Sequence, residues 1–420
     1  CPYFHVGVRY NGGANAGHTV STGCETFALH LLPAAALHDH MDAVLGPGVV
    51  VDPVGLVDEL DALAARGIDV GDRLKISDRA HLVLPYHKIE DRLAEHAATT
   101  ARRIGTTARG IGPCYADKMR RTMAVRFSDV VSATDLTQRV RRIVAEKTAM
   151  FQGLYGDDGG LDPDRVLADI AAARRRLGPY ITDTTTLLHT AVEAGRRTLF
   201  EGANGMLLDV DHGTYPFVTS SSTGSGGVAA GAGVPAATIR RVIGVTKAYA
   251  TRVGSGPFVT ELTDDIGDTI RTQGREFGTT TGRPRRCGWF DAVACRYTAR
   301  LGGVTDVALM HLDTLSGLDR VGICTAYRID GDILTTPPAD AGRLERAVPV
   351  LEFLPGWSDD LRSVERLDDL PHAARAYVAR LETLIGATVS LVSVGPDRTH
   401  TLTARDADAP YPPVAADSGP

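Results

Sequence analysis

Two segments of the chain combine glycine, threonine and arginine in a way that suits the binding of anions. Residues 104–113 read IGTTARGIGP, and residues 277–289 read FGTTTGRPRRCGW. Backbone N–H groups, hydroxyls and forked guanidinium groups bind phosphate and carboxylate oxygens. The second segment holds three threonines and three arginines within eight residues, with Gly278 and Gly282 as hinges, which predicts an anion-binding loop that closes over its ligand. For residues 104–113 a loop followed by a basic helix face is an alternative.

A third segment, residues 11–19 (NGGANAGHT), surrounds two polar side chains with small residues. Small residues let the backbone approach a ligand closely, and Asn15 and His18 offer directed polar groups. Histidine can donate a proton or a hydrogen bond near neutral pH. The segment therefore predicts either a ligand-binding loop or a tight turn in which the ring of His18 is hydrogen-bonded internally.

A long polar segment, residues 201–227, follows a short apolar run. The amide of Asn204 could contact a base edge, and the hydroxyls of residues 219–221 (TSS) suit a phosphate. Residues 209–212 (DVDH) could ligate a metal ion, but adjacent aspartate and histidine in a turn more often form hydrogen bonds within the turn. We therefore favour a nucleotide-binding loop with a hydrogen-bonded turn.

Two short polar segments follow apolar runs near the end of the chain. Residues 311–313 (HLD) come after the run 307–310, and residues 393–398 (SVGPDR) come after the run 389–392. An aspartate just past a strand can accept hydrogen bonds from adjacent amino and imino groups, which guanine presents. The pattern indicates a base-binding position.

The elements that must position these segments alternate between β-branched runs and amphipathic stretches. Residues 57–66 and 136–146 have apolar residues at helical spacing. This alternation predicts an α/β fold with a large, mostly parallel central sheet flanked by helices. The ligand loops should then lie beyond the carboxyl ends of the strands. The apolar runs are residues 48–51, 197–200, 242–245, 307–310 and 389–392.

Composition narrows the class of protein. The chain has 420 residues, of which 43% are hydrophobic and 23% charged, and its net charge is −6, as in ordinary globular proteins. It contains neither an apolar run of membrane-spanning length nor a Lys/Arg block, so we expect no membrane segment and no nucleic-acid partner. Its six cysteines lack CxxC spacing, which predicts reduced thiols, no zinc site and a cytoplasmic location.

Taken together, these segments resemble the adenylosuccinate synthetase family. The resemblance implies a carbon–nitrogen ligase that joins L-aspartate to IMP with GTP and Mg²⁺, through a 6-phosphoryl-IMP intermediate, in a homodimer with a P-loop NTPase-related sheet. It extends from about Arg9 to Ala404. The matching motifs are NAGHT (15–19), RGIGP (109–113), LDVDHGTYPFVTSS (208–221), KAYATRVGSGPF (247–258), TTGRPRRCGW (280–289) and GPDRT (395–399).

The resemblance also implies roles for particular residues. His18 would be the catalytic acid at the purine 6-oxygen, the Gly17 carbonyl would be a Mg²⁺ ligand, and Arg121 would reach IMP across the dimer interface. The residues implied for IMP are Asn15, Ala16, Gly17, His18, Thr107, Arg121, Asn204, Thr219 and Arg283. Those implied for aspartate are Thr279, Thr280, Thr281, Gly282, Arg283, Pro284 and Arg285. Those implied for GTP are Arg285, His311, Leu312, Asp313, Ser393, Val394 and Gly395.

The chain departs from the family pattern at several ligand positions. Asn204 stands where the family has glutamine beside IMP, and His311 stands where it has a lysine whose stem lies on guanine. Ala108 and residues 222–225 also differ from the usual loop residues. Two alternatives therefore stay open: a paralogue that joins aspartate to another 6-oxo purine nucleotide, dGMP-like or modified, and a nucleotide-binding relative without catalytic activity.

The amino-terminal end differs as well. The family begins with a strand, a GDEGKG loop and a helix upstream of the position that matches Arg9, and that loop supplies a catalytic aspartate and a phosphate-binding lysine. Only eight residues precede Arg9 in this sequence. We expect the sequence to be a piece of a longer chain, with residues 1–405 forming one domain and residues 406–420 a flexible tail.

Overall fold

Each of the five predicted apolar runs overlaps a strand of the structure. The structure, a computed structural model, describes residues 3–22, 25–99, 103–278, 282 and 284–404. The chain divides into two compact units, Cys1–Val20 with Ala28–Thr238 and Ser21–Phe27 with Ile239–Pro420. That residues 1–405 form one domain stays a prediction, and the expected tail lies outside the described residues.

The first 238 residues contain β1 to β9 and α1 to α8. The strands are β1 (Val6–Arg9), β2 (His18–Thr22), β3 (Glu25–Leu29), β4 (Asp42–Leu45), β5 (Val50–Val51), β6 (Leu74–Ser77), β7 (His81–Leu82), β8 (Ile181–Thr182) and β9 (Thr198–Glu201). The helices are α1 (Pro53–Ala64), α2 (Pro85–Ala97), α3 (Ile111–Arg120), α4 (Phe127–Ser132), α5 (Leu136–Tyr155), α6 (Pro163–Leu177), α7 (Thr184–Glu193) and α8 (Gly226–Ala232).

The main sheet of the first unit is parallel, with strand order β8-β6-β4-β1-β9. All four residues of β1 are buried, as expected for a central strand covered on both faces. At Gly7 a Cβ atom would lie 2.3 Å from the Cβ of Ala35. Only glycine at this position therefore lets the segment that contains Ala35 pack against β1. The sheet thus matches the mostly parallel sheet that the sequence predicts.

The second unit contains β10 to β19 and α9 to α12. Its strands are β10 (Ile243–Lys247), β11 (Ala250–Arg252), β12 (Arg286–Gly288), β13 (Phe290–Asp291), β14 (Asp306–Met310), β15 (Arg320–Ile329), β16 (Asp332–Leu334), β17 (Val348–Pro355), β18 (Thr388–Ser393) and β19 (Thr401–Thr403). Its helices are α9 (Asp265–Gln273), α10 (Ala292–Gly302), α11 (Ala341–Glu345) and α12 (His372–Ile385).

The second unit has two four-stranded sheets and a two-stranded antiparallel sheet of β11 and β12. One four-stranded sheet has the order β10-β14-β18-β19, with the first three strands parallel, and the other joins β13, β15, β16 and β17. Their shared core buries Tyr249, Leu309 and Tyr377. The Tyr377 hydroxyl donates to the carbonyl of Ala248 at 2.7 Å, which ties α12 to the segment after β10.

Local signals explain where the predicted helices begin and end. Helix α1 starts at Pro53, whose fixed φ suits the first turn. Helix α5 ends at Gly156 with φ 69°, and Asp162 caps α6 by accepting from the N–H of Asp164. Residues 156–162 form the polar connection between them. None of the described helices has the length and apolar character needed to span a bilayer.

A buried ionic cluster joins α3 to α2 and α5. Lys147 is 1% exposed, and its Nζ lies 2.8 Å from Asp117 Oδ2 and 2.5 Å from Glu90 Oε2. His87 accepts from the N–H of Leu84 through Nδ1, so its Nε2 carries the proton that is donated to Asp117 at 3.1 Å. Breaking such a buried set is costly because an unpaired charge remains. The cluster therefore holds α3 in one place.

A buried histidine makes the stability of the first unit sensitive to acid. His81 is 4% exposed, and its Nε2 accepts from the Nε of Arg126 at 3.4 Å. Burial, together with Lys118 and Arg126, lowers the pKa of His81 to about 3. Because the unfolded chain takes up this proton near the ordinary histidine pKa, the stability is present above that pH and is lost as pH falls towards the folded value.

We expect the free energy of unfolding to fall by about 2–3 kcal/mol from this group between about pH 6.5 and about pH 4.5. Urea denaturation at several pH values would measure it. The variant His81→Gln should flatten the pH dependence, whereas His96→Gln on the surface of α2 should leave it unchanged. If the free energy of unfolding falls equally with pH in His81→Gln and in the parent protein, the prediction is contradicted.

Candidate active site

The first unit places two predicted ligand loops side by side. Strands β1 and β9 are parallel neighbours, and Arg9 is opposite Glu201 in their register. The loop after β1 (residues 10–17) and the loop after β9 (residues 202–225) therefore leave the sheet at the same edge. Parallel α/β sheets bind ligands at this edge, which is where the sequence predicts them.

Buried hydrogen bonds join these two loops. Asn11 accepts from the N–H of Ala203 at 2.9 Å and donates through Nδ2 to the Ala203 carbonyl and to Ser221 Oγ, both at 3.1 Å. The Tyr10 hydroxyl donates to the carbonyl of Thr223 at 3.0 Å. Because buried polar groups are costly to leave unpaired, these bonds give the two loops one defined arrangement.

Three of the predicted ligand residues converge beside Gly12. Asn15 donates through Nδ2 to Thr219 Oγ1 at 3.1 Å, and the Oδ1 atoms of Asn15 and Asn204 are buried without a hydrogen-bond partner among the described residues. A Cβ atom at Gly12 would lie 3.8 Å and 3.6 Å from these two oxygens and 2.8 Å from the Cβ of Ala203. Unpaired buried amide oxygens are rare, so these two oxygens are available to accept hydrogen bonds from a ligand. We call the group formed by Asn15, Asn204 and Thr219 the polar cradle.

His18, at the start of β2, is half-buried and held by a carbonyl. Its Nε2 donates to the carbonyl of Leu32 at 3.2 Å and lies 3.6 Å from Glu201 Oε1. Burial lowers the pKa of His18, although Glu201 opposes this shift. Glu201 also pairs with Arg9 at 2.7 Å and accepts from the N–H of Ala34 at 2.8 Å. In this arrangement Nε2 carries a proton that is donated to the carbonyl of Leu32, and burial favours the neutral ring.

Asp209 organises the loop after β9. Its carboxylate is 3% exposed and accepts from the N–H groups of Asp211 at 3.0 Å, His212 at 3.1 Å and Thr223 at 2.6 Å. These bonds agree with the hydrogen-bonded turn that we favoured over a metal site. Across the described part of the chain, no group of three or more His, Cys, Asp or Glu side chains could hold a metal ion.

Thr107 is exposed in the loop before α3, and Arg121 is exposed just past the end of that helix. The loop that carries Thr107 is held to α2, because Asp91 accepts from the N–H of Gly110 at 2.9 Å. Gly110 has φ 75° and precedes the helix, where a Cβ atom would lie 2.8 Å from the backbone of His87. Glycine is therefore required at this turn, and the loop and α3 are positioned as one piece.

In the second unit, neighbouring parallel strands bring the two predicted base-binding segments together. Strands β14 and β18 are paired from residue 306 with 388 to residue 309 with 392, so residues 311–313 and 393–395 follow at the same edge. Leu312 and Val394 are fully buried and anchor the segments. His311 has φ 62°, a left-handed conformation that is uncommon outside glycine and is found at functional turns.

The predicted anion-binding loop is described only in part. Gly282 and Pro284 are exposed, and Arg285 is half-buried, with its Nη1 2.8 Å from Glu276 Oε2. The predicted residues Thr279, Thr280, Thr281 and Arg283 lie outside the described part of the chain.

The family model for adenylosuccinate synthetase matches residues 1–402. The chain belongs to the adenylosuccinate synthetase family. Curated adenylosuccinate synthetases are similar over nearly its whole length: that of Moorella thermoacetica is 51% identical over 397 residues, and that of Oleidesulfovibrio alaskensis is 48% identical over 396 residues. Each match covers 94% of this chain and 92% of the relative.

Solved structures agree with the family. A fully ligated adenylosuccinate synthetase from Plasmodium falciparum matches with a TM-score of 0.90 and 35% identity, covering 96% of this chain and 94% of that one. The succinoaminodeoxyadenylate synthetase of cyanophage S-2L, bound to dGMP and dATP, matches with a TM-score of 0.58 and 21% identity, covering 96% and 88%, and supports the fold alone. The predicted family, its ligase chemistry and the α/β fold are thereby confirmed.

Two acidic residues beside the predicted ligand loops of the two units were missed by the sequence analysis. Glu201 directly follows the predicted strand at residues 197–200, so the rule that ligand residues follow strands could have drawn attention to it. Glu276 is 1% exposed and lies just before the anion-binding loop, where no sequence rule distinguishes a buried carboxylate from a solvated one.

The role of Asp209 can be tested by one substitution. In Asp209→Asn an NH₂ group would face a backbone N–H that now donates to the carboxylate, so we expect a loss of about 1–3 kcal/mol in the free energy of unfolding. Urea denaturation at neutral pH would measure it. The variant Asp58→Asn, at an exposed position on α1, is the control. Equal free energies of unfolding for Asp209→Asn and Asp58→Asn would argue against a role of Asp209 in holding the loop.

Proposed function

We propose that this protein ligates L-aspartate to IMP at the expense of GTP, through a 6-phosphoryl-IMP intermediate, on the route from IMP to AMP. The observation that carries the proposal is the 51% identity over 397 residues to an adenylosuccinate synthetase. The polar cradle and the arginine at the stem of the anion-binding loop supply groups that such a reaction requires.

The chemistry explains why these groups are needed. The 6-oxygen of IMP is a poor leaving group, so GTP first transfers its γ-phosphoryl group to it. The aspartate amine then attacks C6, a C–N bond forms, the C–O bond breaks, and phosphate leaves while the amine loses a proton. Catalysis of phosphoryl transfer depends on positioning the reacting groups and on offsetting the negative charge of the phosphoryl oxygens. Hydrogen-bond donors held in place and cations provide both.

We assign IMP to the cradle of the first unit. The residues that would contact it are Asn15, Ala16, Gly17, His18, Asn204 and Thr219, with Thr107 of the loop before α3 and Arg283 of the anion-binding loop. The neutral Nε2–H of His18, now directed at the carbonyl of Leu32, could turn to the purine 6-oxygen and stabilise the charge that develops there. Rotation of the Asn204 amide would present either its oxygen or its NH₂ group to the nucleotide.

We assign the guanine base of GTP to the edge formed after β14 and β18. Asp313 would accept from the imino and amino groups of guanine, and the segment Ser393–Gly395 would border the base together with His311 and Leu312. The adjacency of the two segments supports this assignment. His311 replaces a lysine of the family, so an imidazole would lie against the base in place of an aliphatic stem.

Magnesium fits this proposal as an ion held mainly by substrate. Gly17 is exposed in the loop before His18, and a backbone carbonyl is an oxygen ligand that Mg²⁺ accepts. Proteins often bind Mg²⁺ through few protein groups together with substrate phosphates, which agrees with the lack of an acidic cluster in the described residues. When bound, the ion would offset phosphate charge.

A homodimer in the cytoplasm completes the proposal. Arg121 is exposed just past α3 and is free of the first unit's buried ionic cluster, so it is placed where it could reach the IMP of a partner subunit. Unpaired thiols at Cys114, Cys287 and Cys324 suit a reducing compartment.

The direct test is product formation by the protein expressed from its complete reading frame. With IMP, GTP, Mg²⁺ and aspartate we expect adenylosuccinate, GDP and phosphate in equal amounts, measured by chromatography. Replacing IMP by dGMP is the matched comparison. Turnover with dGMP and none with IMP would favour the paralogue, and turnover with neither, despite nucleotide binding, would favour a relative without catalytic activity.

The aspartate assignment predicts a selective effect of Arg283→Ala. Removal of a guanidinium that binds a carboxylate costs about 2–3 kcal/mol, so we expect KM for aspartate to rise roughly 30- to 150-fold while IMP binding, measured by calorimetry, changes much less. Glu352→Gln, which breaks the surface pair with Arg380, is the control. Unchanged aspartate dependence in Arg283→Ala would overturn the assignment.

A further inference from the structure

A buried carboxylate lies at the base of the anion-binding loop and accepts from three different side chains. Glu276 is 1% exposed. Its Oε1 accepts from Lys247 Nζ and from the Tyr249 hydroxyl, both at 2.5 Å, and its Oε2 accepts from Arg285 Nη1 at 2.8 Å. One side chain thus connects the end of β10, the segment after it, and the arginine at the end of the loop.

The main chain is held at the same place. The N–H of Arg285 donates to the carbonyl of Glu276 at 2.9 Å, and the Arg285 carbonyl accepts from Arg271 Nε at 2.9 Å. Phe277 and Pro284 form an antiparallel bridge between these contacts. Both peptide groups of Arg285 and its side chain are therefore fixed relative to Glu276, which limits where the guanidinium can point.

The charges of this cluster leave one positive charge in excess. Burial by itself raises the pKa of Glu276, but Lys247, the Tyr249 hydroxyl and Arg285 outweigh it and keep the pKa below its usual value, so the carboxylate is ionised. One anion faces two cations. A substrate carboxylate that approached Arg285 would therefore meet a net attraction.

The guanidinium also keeps donors for a second carboxylate. Glu276 engages Nη1, whereas Nε and Nη2 make no hydrogen bond that the described residues reveal. Guanidinium groups bind carboxylates through two parallel N–H donors. The guanidinium of Arg285 is held through Nη1, and its Nε–Nη2 edge stays open for such a contact before substrate arrives. Preorganisation of this kind lowers the conformational entropy that is lost on binding.

We propose that Glu276 is a positioning residue for aspartate: it fixes the guanidinium of Arg285 so that the open edge faces the substrate carboxylate. Lys247 and Tyr249 keep Glu276 itself in place. The inference rests on the proposed function, because it takes Arg285 to be an aspartate-binding residue. Glu276 acts through Arg285 and touches no reacting atom.

A double-mutant cycle in the complete protein tests the proposal. Glu276→Gln preserves size but removes the negative charge and leaves one acceptor oxygen for the three donors, so Arg285 loses its ion pair. We expect KM for aspartate to rise about tenfold, with kcat and KM for IMP within about twofold of the parent protein. In the background of Arg285→Ala the same substitution should have no further effect on KM for aspartate, since the residue it positions is gone.

Controls separate positioning from a structural role. Glu352→Gln removes an ion pair between β17 and α12 of the same unit and should leave KM for aspartate unchanged. Thermal unfolding of every variant shows whether it is folded. If Glu276→Gln does not fold, the cycle is carried out with Tyr249→Phe, which removes one of the donors that hold Glu276 and should raise KM for aspartate about threefold, again only when Arg285 is present.

The contradicting outcomes are distinct. If Arg285→Ala raises KM for aspartate and Glu276→Gln does not, or if the two effects multiply in the double variant, Glu276 does not position Arg285, and the proposed function stands. If Arg285→Ala leaves KM for aspartate unchanged in an enzyme that makes adenylosuccinate, both roles are wrong. If the parent protein makes no adenylosuccinate, the proposed function itself fails.

Discussion

Parallel pairing of neighbouring strands is the constraint on which the predicted ligand segments of each unit depend. In an antiparallel pair, the carboxyl ends of the two strands lie at opposite edges of the sheet. Strands β1 and β9 are parallel, so the loops that follow them lie at the same edge, although 192 residues separate Arg9 from Glu201. The same holds for β14 and β18 in the second unit. Each parallel pair brings together two segments that are distant in the sequence.

Carboxylates that are buried or half-buried then give these loops their shape. Glu201, Asp209 and Glu276 are each directed at several donors, some of them backbone N–H groups and some cationic side chains. A buried carboxylate is stable only when such partners surround it, so the loop cannot rearrange without giving up several bonds at once. The consequence is a site whose ligand-facing groups are held in position by residues that do not contact ligand.

The unpaired groups stand out against this background. Nearly every buried polar atom around the cradle is hydrogen-bonded, yet the amide oxygens of Asn15 and Asn204 are not. Asn204 adopts φ 67°, a conformation that asparagine tolerates better than glutamine, so the shorter side chain at this position suits the backbone it is attached to. In a site otherwise satisfied, these atoms are the ones that a nucleotide would complete.

The sequence by itself determined the fold class, the family and the segments that carry ligand residues. These are local properties: β-branched runs predict strands, and motifs such as residues 15–19 and 280–289 are contiguous. It could not determine which distant residues meet, because strand order depends on pairing across the whole chain. Glu276 shows the limit, since one glutamate in a polar segment looks solvated until tertiary packing buries it beside Lys247, Tyr249 and Arg285.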